Sequence, residues 1–364
     1  MDRILTDRSQ NPQGCDLCSR SKRQRRVAAR QSGRRKSSLT CAGPSPISNR
    51  MSAPAKLTQA VIIGGGRMGA DIALVLARGG CRAFIIETSA ARRDALPEYF
   101  DHASGGLASW RECIATGGNW SEAPWSTVEL AVECVPEELP AKQEVFRELV
   151  RHCPRETLIT SNSSSLPISA IANGHATADR MLGWHFFHPA HLVPLVEVIS
   201  GPQTTDASAE RLVGFSRHCR LVPIRVHKDV PGFVANRLQH AMAREAYALV
   251  EAGVASAEDI DRAVRFGFGF RYLAAGPFLQ RDHGGLDVHA AAAAAIFPTL
   301  ARDPGVPRLL RDRVAEGKTG LKAGEGFYHW TPAAAAAERE RYVRVLERAV
   351  ALLNEEIRSD GVPE

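Results

Sequence analysis

Short runs of apolar, largely β-branched residues alternate with longer segments of helical spacing over residues 57–227. Ala60-Val61-Ile62-Ile63, Ala83-Phe84-Ile85-Ile86, Leu130-Ala131-Val132 and Thr157-Leu158-Ile159-Thr160 are too short for helices and read as strands buried on both faces. Ile72, Leu74, Val75 and Leu76 give the helix between the first two. Leu195-Val196-Glu197-Val198-Ile199 and Leu221-Val222-Pro223-Ile224-Arg225-Val226 supply later strands. Buried strands alternating with helices predict the α/β class, with a Rossmann-type, doubly wound, mostly parallel sheet.

From Lys228 the pattern changes. Val230-Pro231-Gly232 breaks the chain, and the spacing beyond it predicts a long helix over Phe233–Glu251. Ser256 reads as the cap of a further helix, FGFGF at 266–270 as a loop, and the alanine runs at 290–295 and 333–337 as helices. Tyr342, Val345, Leu346, Ala349, Val350 and Leu353 repeat at helical spacing. The chain thus divides into a basic extension (1–56), a Rossmann domain (57–227) and an all-helical C-terminal domain (228–364). An apolar face left exposed on those helices would serve a homodimer, and core packing would give the same periodicity.

Charge alters the picture only at the N-terminus. The net charge is +6. Residues 1–50 hold 12 of the 46 Lys and Arg and three acids, which leaves 34 basic against 37 acidic residues for the rest. The folded part is mildly acidic, so nothing in it argues for nucleic acid as a partner. The extension, with SRSKRQRR and RQSGRRK and few large apolar residues, is expected to be disordered. It reads as a targeting segment, a nucleic-acid-binding tail, or sequence upstream of a start at Met51; the last is favoured because Met51 stands just before the first strand. No apolar run approaches the ~20 residues that cross a bilayer. Eight cysteines at irregular spacing do not make a disulfide framework, and point to a reducing, cytoplasmic compartment.

The first strand runs into Gly64-Gly65-Gly66-Arg67-Met68-Gly69 and then into a helix, which is the dinucleotide-binding fingerprint in its proper context. Gly64 suits a tight turn, Gly66 a close approach of backbone to a pyrophosphate, and Gly69 helix-on-strand packing, with Arg67 and Met68 between them. Glu87 ends the second strand 23 residues after Gly64, where an acid receives the ribose hydroxyls and repels a 2′-phosphate. The cofactor expected is NAD, with Arg92 and Arg93 nearby weakening the preference over NADP.

Candidate chemistry centres on Leu182–Ser200, LGWHFFHPAHLVPLVEVIS. Glu197 stands in the middle of an apolar strand, where a carboxylate needs a partner, and His185, His188 and His191 lie upstream. A carboxylate on one ring nitrogen fixes the histidine tautomer and leaves the other nitrogen to take a proton, a general-base pair. A strand-end Glu facing solvent or an arginine is the competing reading. The histidines at period three could also ligate a metal, but Pro189 works against convergence, and no metal is expected. Ser161-Asn162-Ser163-Ser164-Ser165 follows a strand at the end where such sheets bind ligands, and equally suits a turn and helix cap.

Taken together, GGGRMG, SNSSSL, HFFHP with LVEV, DVPGFVANR and KAGEGFY, in this order over residues 57–330, resemble the L-3-hydroxyacyl-CoA dehydrogenase family. The resemblance implies NAD-dependent oxidation of a 3-hydroxyl group in fatty acid metabolism. It makes His185 the base, Glu197 its orienting carboxylate, and Ser164 and Asn236 the groups that bind the substrate oxygen. It puts Glu137, Lys142, Asn162 and Lys322 at cofactor-contacting positions.

Two features depart from that pattern. His188 stands where the family usually has Asn, near the nicotinamide. Between Glu87 and Glu137, Pro97, Gly105, Gly106, Gly117 and Gly118 interrupt the helical segment that carries CoA contacts in acyl-CoA members. PAHLVPLVEV and LVEAGVAS also resemble relatives acting on small free acids, such as carnitine and gulonate dehydrogenases and a vitamin B6 catabolic dehydrogenase. The substrate expected is a small molecule, either an acyl-CoA or a free hydroxy acid. A catalytically silent NAD-binding protein is the rival from another class.

Overall fold

The computed structural model describes residues 57–107 and 109–359. The extension at 1–56 and residues 360–364 lie outside them. The strands are β1 (Gln59–Ile63), β2 (Arg82–Ile86), β3 (Ile114–Gly117), β4 (Leu130–Glu133), β5 (Leu158–Ser161), β6 (Met181–Phe186), β7 (Leu195–Ser200) and β8 (Val222–Val226). They form one sheet in the order β3-β2-β1-β4-β5-β6-β7-β8, parallel throughout except where β6 meets β7. The order reverses between β1 and β4, and the carboxyl ends of these two strands open the crevice in which such sheets bind ligands.

Helices α1 (Arg67–Arg78), α2 (Ala90–Ala103), α3 (Trp110–Cys113), α4 (Leu139–His152), α5 (Ile168–Ile171) and α6 (Asp206–His218) belong to this half. The strands are apolar on both faces because both faces are covered. One core joins Ile62, Ile85, Val132, Trp184 and Val198 to Leu74 and Leu76 of α1 and to Leu212 and Phe215 of α6. The other joins Val61, Ile63, Ala131 and Ile159 to Phe146 and Leu149 of α4.

The helical half comprises α7 (Ala235–Glu251), α8 (Ala257–Ala263), α9 (Gly269–Arg271), α10 (Pro277–Gly284), α11 (Leu286–Ile296), α12 (Arg308–Ala315), α13 (Pro332–Leu352) and α14 (Asn354–Ser359). Ser256 caps α8 as expected, its hydroxyl accepting from Asp259 N at 3.1 Å. Across residues 234–357 only Gly326 and Ala335 are buried. Leu238, Phe266, Phe270, Phe278, Val288 and Phe297 are all more than half exposed. The long helices therefore have their apolar stripes but no core of their own to bury them in.

Several elements differ from the sequence expectation. The long helix begins at Ala235, not Phe233, because Gly232 and Phe233 take φ of 75° and 50° and the Phe233 ring is buried. The FGFGF segment is not a loop: Val264–Phe268 forms a π-turn, kinked at Gly267, that runs into α9. A Cβ on Gly269 would press on the Val264 carbonyl, so glycine here keeps the coil tight rather than ending it. Pro97 sits inside α2 without breaking it, since Leu96 and Phe100 anchor the helix in the core on either side. The four-residue edge strand β3 has too short a pattern to be read from sequence.

Candidate active site

The glycine turn is shaped by steric need. Gly64 has φ of 104°, and a Cβ there would lie 2.8 Å from the Cys134 carbonyl of the neighbouring connection. A Cβ on Gly69 would overlap the Gly64 carbonyl, so any larger residue would push α1 off the turn. Gly66 faces open space. The first turn of α1 has no acidic residue and no side-chain cap, which leaves its amide donors free for an anion. These features fit the pyrophosphate of a dinucleotide.

Glu87 is 4% exposed at the tip of β2. Its carboxylate accepts from Gly65 N at 3.0 Å and Ser89 N at 2.8 Å, and Arg92 lies 3.7 Å away. It thus ties the glycine turn to the start of α2. Arg67 is exposed and Met68 half-buried beside that turn.

At the ends of β4 and β5 a second set of charges is closed on itself. Lys142, buried in the second turn of α4, directs its ammonium at Glu133 (2.8 Å), Glu137 (3.2 Å) and the Val135 carbonyl (3.2 Å). Glu133 is fully buried and also accepts from Ser161 at 2.6 Å. Glu137 Oε1 gathers the serine loop, accepting from the Ser163 and Ser165 hydroxyls at 2.6 and 2.9 Å and from Ser164 and Ser165 N at 3.0 and 2.9 Å. Partial burial would raise the Glu137 pKa, but the Ser163 hydrogen bond, the Lys142 charge and the Ser165 donors overcome it and hold the carboxyl down at about 2. Asn162 turns its amide oxygen to Phe186 N at 2.9 Å, linking this loop to the end of β6.

His185 and Glu197 are opposite residues of the antiparallel β6–β7 pair. Nδ1 lies 2.7 Å from Glu197 Oε2, both side chains are buried, and Phe187 and Phe233 pack around the imidazole. Among the described residues, none forms a hydrogen bond with His185 Nε2. The second oxygen of Glu197 accepts from Val234 N and Ala235 N at 3.1 and 2.9 Å, capping α7 from another element. Burial opposes the charge on Glu197, and His185 with the two amides outweighs it, so its pKa falls below the ordinary value. The solvent-facing and arginine-paired readings of Glu197 do not hold.

Asn236 follows in the first turn of α7 and donates to the Ser164 carbonyl at 3.4 Å. The structure thus joins His185, Glu197, Asn236, Ser164, Glu137 and Lys142 into one linked set. Lys322 is not part of it; it is exposed in the loop before α13 and makes no polar contact among the described residues. The three histidines do not meet at one point: His191 and His188 face Asp71 (2.9 and 4.0 Å), whereas His185 faces Glu197. Sequence reasoning gave no role to Glu133 or Asp71, and did not single out Ser163 within the serine run. The signal for Asp71 was an acid amid the apolar face of α1, the same signal that marked Glu197.

A family model described as "3-hydroxyacyl-CoA dehydrogenase, NAD binding domain" matches residues 59–230, and one described as "3-hydroxyacyl-CoA dehydrogenase, C-terminal domain" matches residues 232–330. The chain is 36% identical over 287 residues to the human mitochondrial hydroxyacyl-coenzyme A dehydrogenase, covering 74% of this chain and 90% of that protein. It is 32% identical over 304 residues to the 5-formyl-3-hydroxy-2-methylpyridine 4-carboxylate 5-dehydrogenase of Mesorhizobium japonicum, covering 79% and 96%. A crystal structure of a dehydrogenase of that same description, titled an NAD+ dependent dismutase, superposes with a TM-score of 0.77 at 29% identity, over 82% of this chain and 99% of the other. No helix among the described residues is long and apolar enough to cross a membrane.

Proposed function

The chain belongs to the 3-hydroxyacyl-CoA dehydrogenase family of NAD-dependent oxidoreductases, and we propose that it oxidises the 3-hydroxyl group of a 3-hydroxyacyl-CoA or a related 3-hydroxy acid to the 3-keto product. The observation that carries this is the buried His185–Glu197 pair, 2.7 Å apart, with Nε2 unengaged among the described residues. With Nδ1 committed to Glu197, the imidazole accepts the hydroxyl proton at Nε2. The adjacent carboxylate stabilises the imidazolium that results. Ser164 and Asn236 hold the oxygen as it changes from alcohol to carbonyl. Bound NAD supplies the acceptor for the carbinol hydride.

Gly64, Gly66, Arg67, Met68 and Gly69 would hold the cofactor's pyrophosphate at the α1 N-terminus, and Glu87 would receive its ribose. Glu137, Asn162 and Lys322 contact the cofactor beyond it, and Lys142 acts through Glu137. The division at residues 227 and 228 separates this nucleotide-binding half from the helical one. The helical half dimerises: a stretch of over 100 residues with two buried positions needs a partner to supply its core, and a second copy is the one always present. The free cysteines Cys81, Cys113, Cys134, Cys153 and Cys219 suit a cytoplasmic protein.

A second reading, oxidation of a small non-CoA substrate such as a pyridine alcohol or aldehyde, is favoured by the match to the pyridine-carboxylate dehydrogenase over nearly its whole length. An assay of NADH formation with 3-hydroxybutyryl-CoA, carnitine, gulonate and pyridine alcohols separates the two. Turnover of the thioester supports the first reading, turnover of the free compounds alone selects the second, and turnover of none contradicts both.

A further inference from the structure

Helix α1 carries a charge on a face that is otherwise core. Asp71 is fully buried beside Ala70 and Ile72, and the reaction described above makes no use of it. An unpaired carboxylate at such a place costs several kcal/mol. Both of its oxygens are engaged. Oδ1 accepts from the Tyr99 hydroxyl on α2 and lies 2.9 Å from His191 Nδ1, out of line for a hydrogen bond and within reach of an ion pair. Oδ2 accepts from Ala190 N at 2.9 Å and lies 4.0 Å from His188 Nδ1. Burial works against ionisation, but His191, Tyr99 and Ala190 overcome it and lower the Asp71 pKa, so the group is a carboxylate at neutral pH.

All but one of these partners lie on a single turn, residues 187–194, which connects the strand of His185 to the strand of Glu197. The same helix grips that turn again from its far end, where Arg78 donates to the His191 carbonyl at 3.0 Å. The turn's other end is pinned by Asn162 to Phe186 N. His188 is thus held between two anchors, two residues from each, with its ring half exposed. A carboxylate needed only to fill space would be a poor choice, because replacing a buried ion pair by apolar side chains is often neutral or stabilising. Its placement against one turn of the site calls for a positional reason.

We propose that Asp71 is a positioning residue for the oxidoreductase reaction: by docking the 187–194 turn on the dinucleotide helix, it fixes that turn and with it sets how His185 meets Glu197. This rests on the assignment of His185 and Glu197 above. The clamp also joins the helix that receives the cofactor to the strands that carry the base, so the two parts of the site keep their relative placement. A misplacement of about 1 Å in such a site lowers turnover by up to ~100-fold.

The test uses the full-length chain and whichever probe the parent turns over, (S)-3-hydroxybutyryl-CoA or the pyridine aldehyde 4-carboxylate. Asp71→Asn should lower kcat by about 10-fold or more, with the NADH dissociation constant within about threefold and Tm within about 4 °C of the parent. His191→Gln, nearer the surface, should do the same and decides the matter if Asp71→Asn does not fold. Tyr99→Phe, which leaves the turn's own bonds in place, should stay within about twofold. Combining Asp71→Asn with His191→Asn, which puts two amides in place of the carboxylate and imidazole contact, should recover at least about threefold over Asp71→Asn alone. A kcat within about twofold of the parent in Asp71→Asn or His191→Gln, or a loss matched by equal loss of NADH binding, would overturn the proposal. That failure leaves the base untouched, whereas an active His185→Gln would refute the base whatever Asp71 does.

Discussion

Ala235 N donates to Glu197 at 2.9 Å, through the carboxylate whose other oxygen holds His185. One side chain therefore orients the proposed base and caps the first helix of the C-terminal half. Replacing Glu197 by Gln should lower kcat by about 100-fold or more, because the amide can place its NH2 on His185 and favour the wrong tautomer. Glu197→Ala should in addition destabilise the chain by about 3–5 kcal/mol, since it strips a buried partner from His185 and two amides. Steady-state kinetics and urea unfolding of the two variants check this, and near-parental turnover in both would contradict it.

Acid sensitivity follows from Glu137. Its folded-state pKa of about 2 lies below the ordinary 4.5, so between these values the unfolded chain binds the proton more readily. The stability it contributes is complete above about pH 5 and is lost as pH falls toward 2. Glu137→Gln should therefore lower Tm at pH 7 and differ less from the parent at pH 3. Thermal melts at the two pH values measure this; an equal difference at both would contradict it.

Gly69→Ala places a methyl group onto the Gly64 carbonyl. The helix must shift away from the glycine turn, and the NADH dissociation constant should rise by about 10-fold or more while the fold persists. Fluorescence titration with NADH tests it, and unchanged affinity would mean that the turn does not hold the pyrophosphate.

The exposed stripes of α7, α11 and α13 give an expectation for solution behaviour. Sedimentation velocity at micromolar concentration should find a dimer, and dilution should lose helical signal together with the dimer, because the helices of one copy have no other core. A monomer with full helicity would contradict this.

The sheet was legible because its strands are buried on both faces and so read as unbroken apolar runs, with the glycine turn marking where the first helix starts. Glu197 was legible for the opposite reason, as a charge where charge is costly. What sequence missed has physical causes too. The edge strand β3 offers four residues and two exposed positions, too few for a pattern. The FGFGF turn coils with Gly269 against the Val264 carbonyl five residues before it, a close approach that glycine content does not announce. The resemblance puts Lys142 at a cofactor-contacting position, and in the fold its ammonium is enclosed by Glu133, Glu137 and Val135. Asp71 gave a local signal, but Ala190, its partner on the turn, lies 119 positions away and could not be paired with it by spacing.

The most direct test is the turnover of His185→Gln with the parent's substrate beside its affinity for NADH. A fall in kcat of at least about 100-fold, with the NADH dissociation constant nearly unchanged, is the result expected if the imidazole takes the hydroxyl proton. Turnover near that of the parent would contradict it.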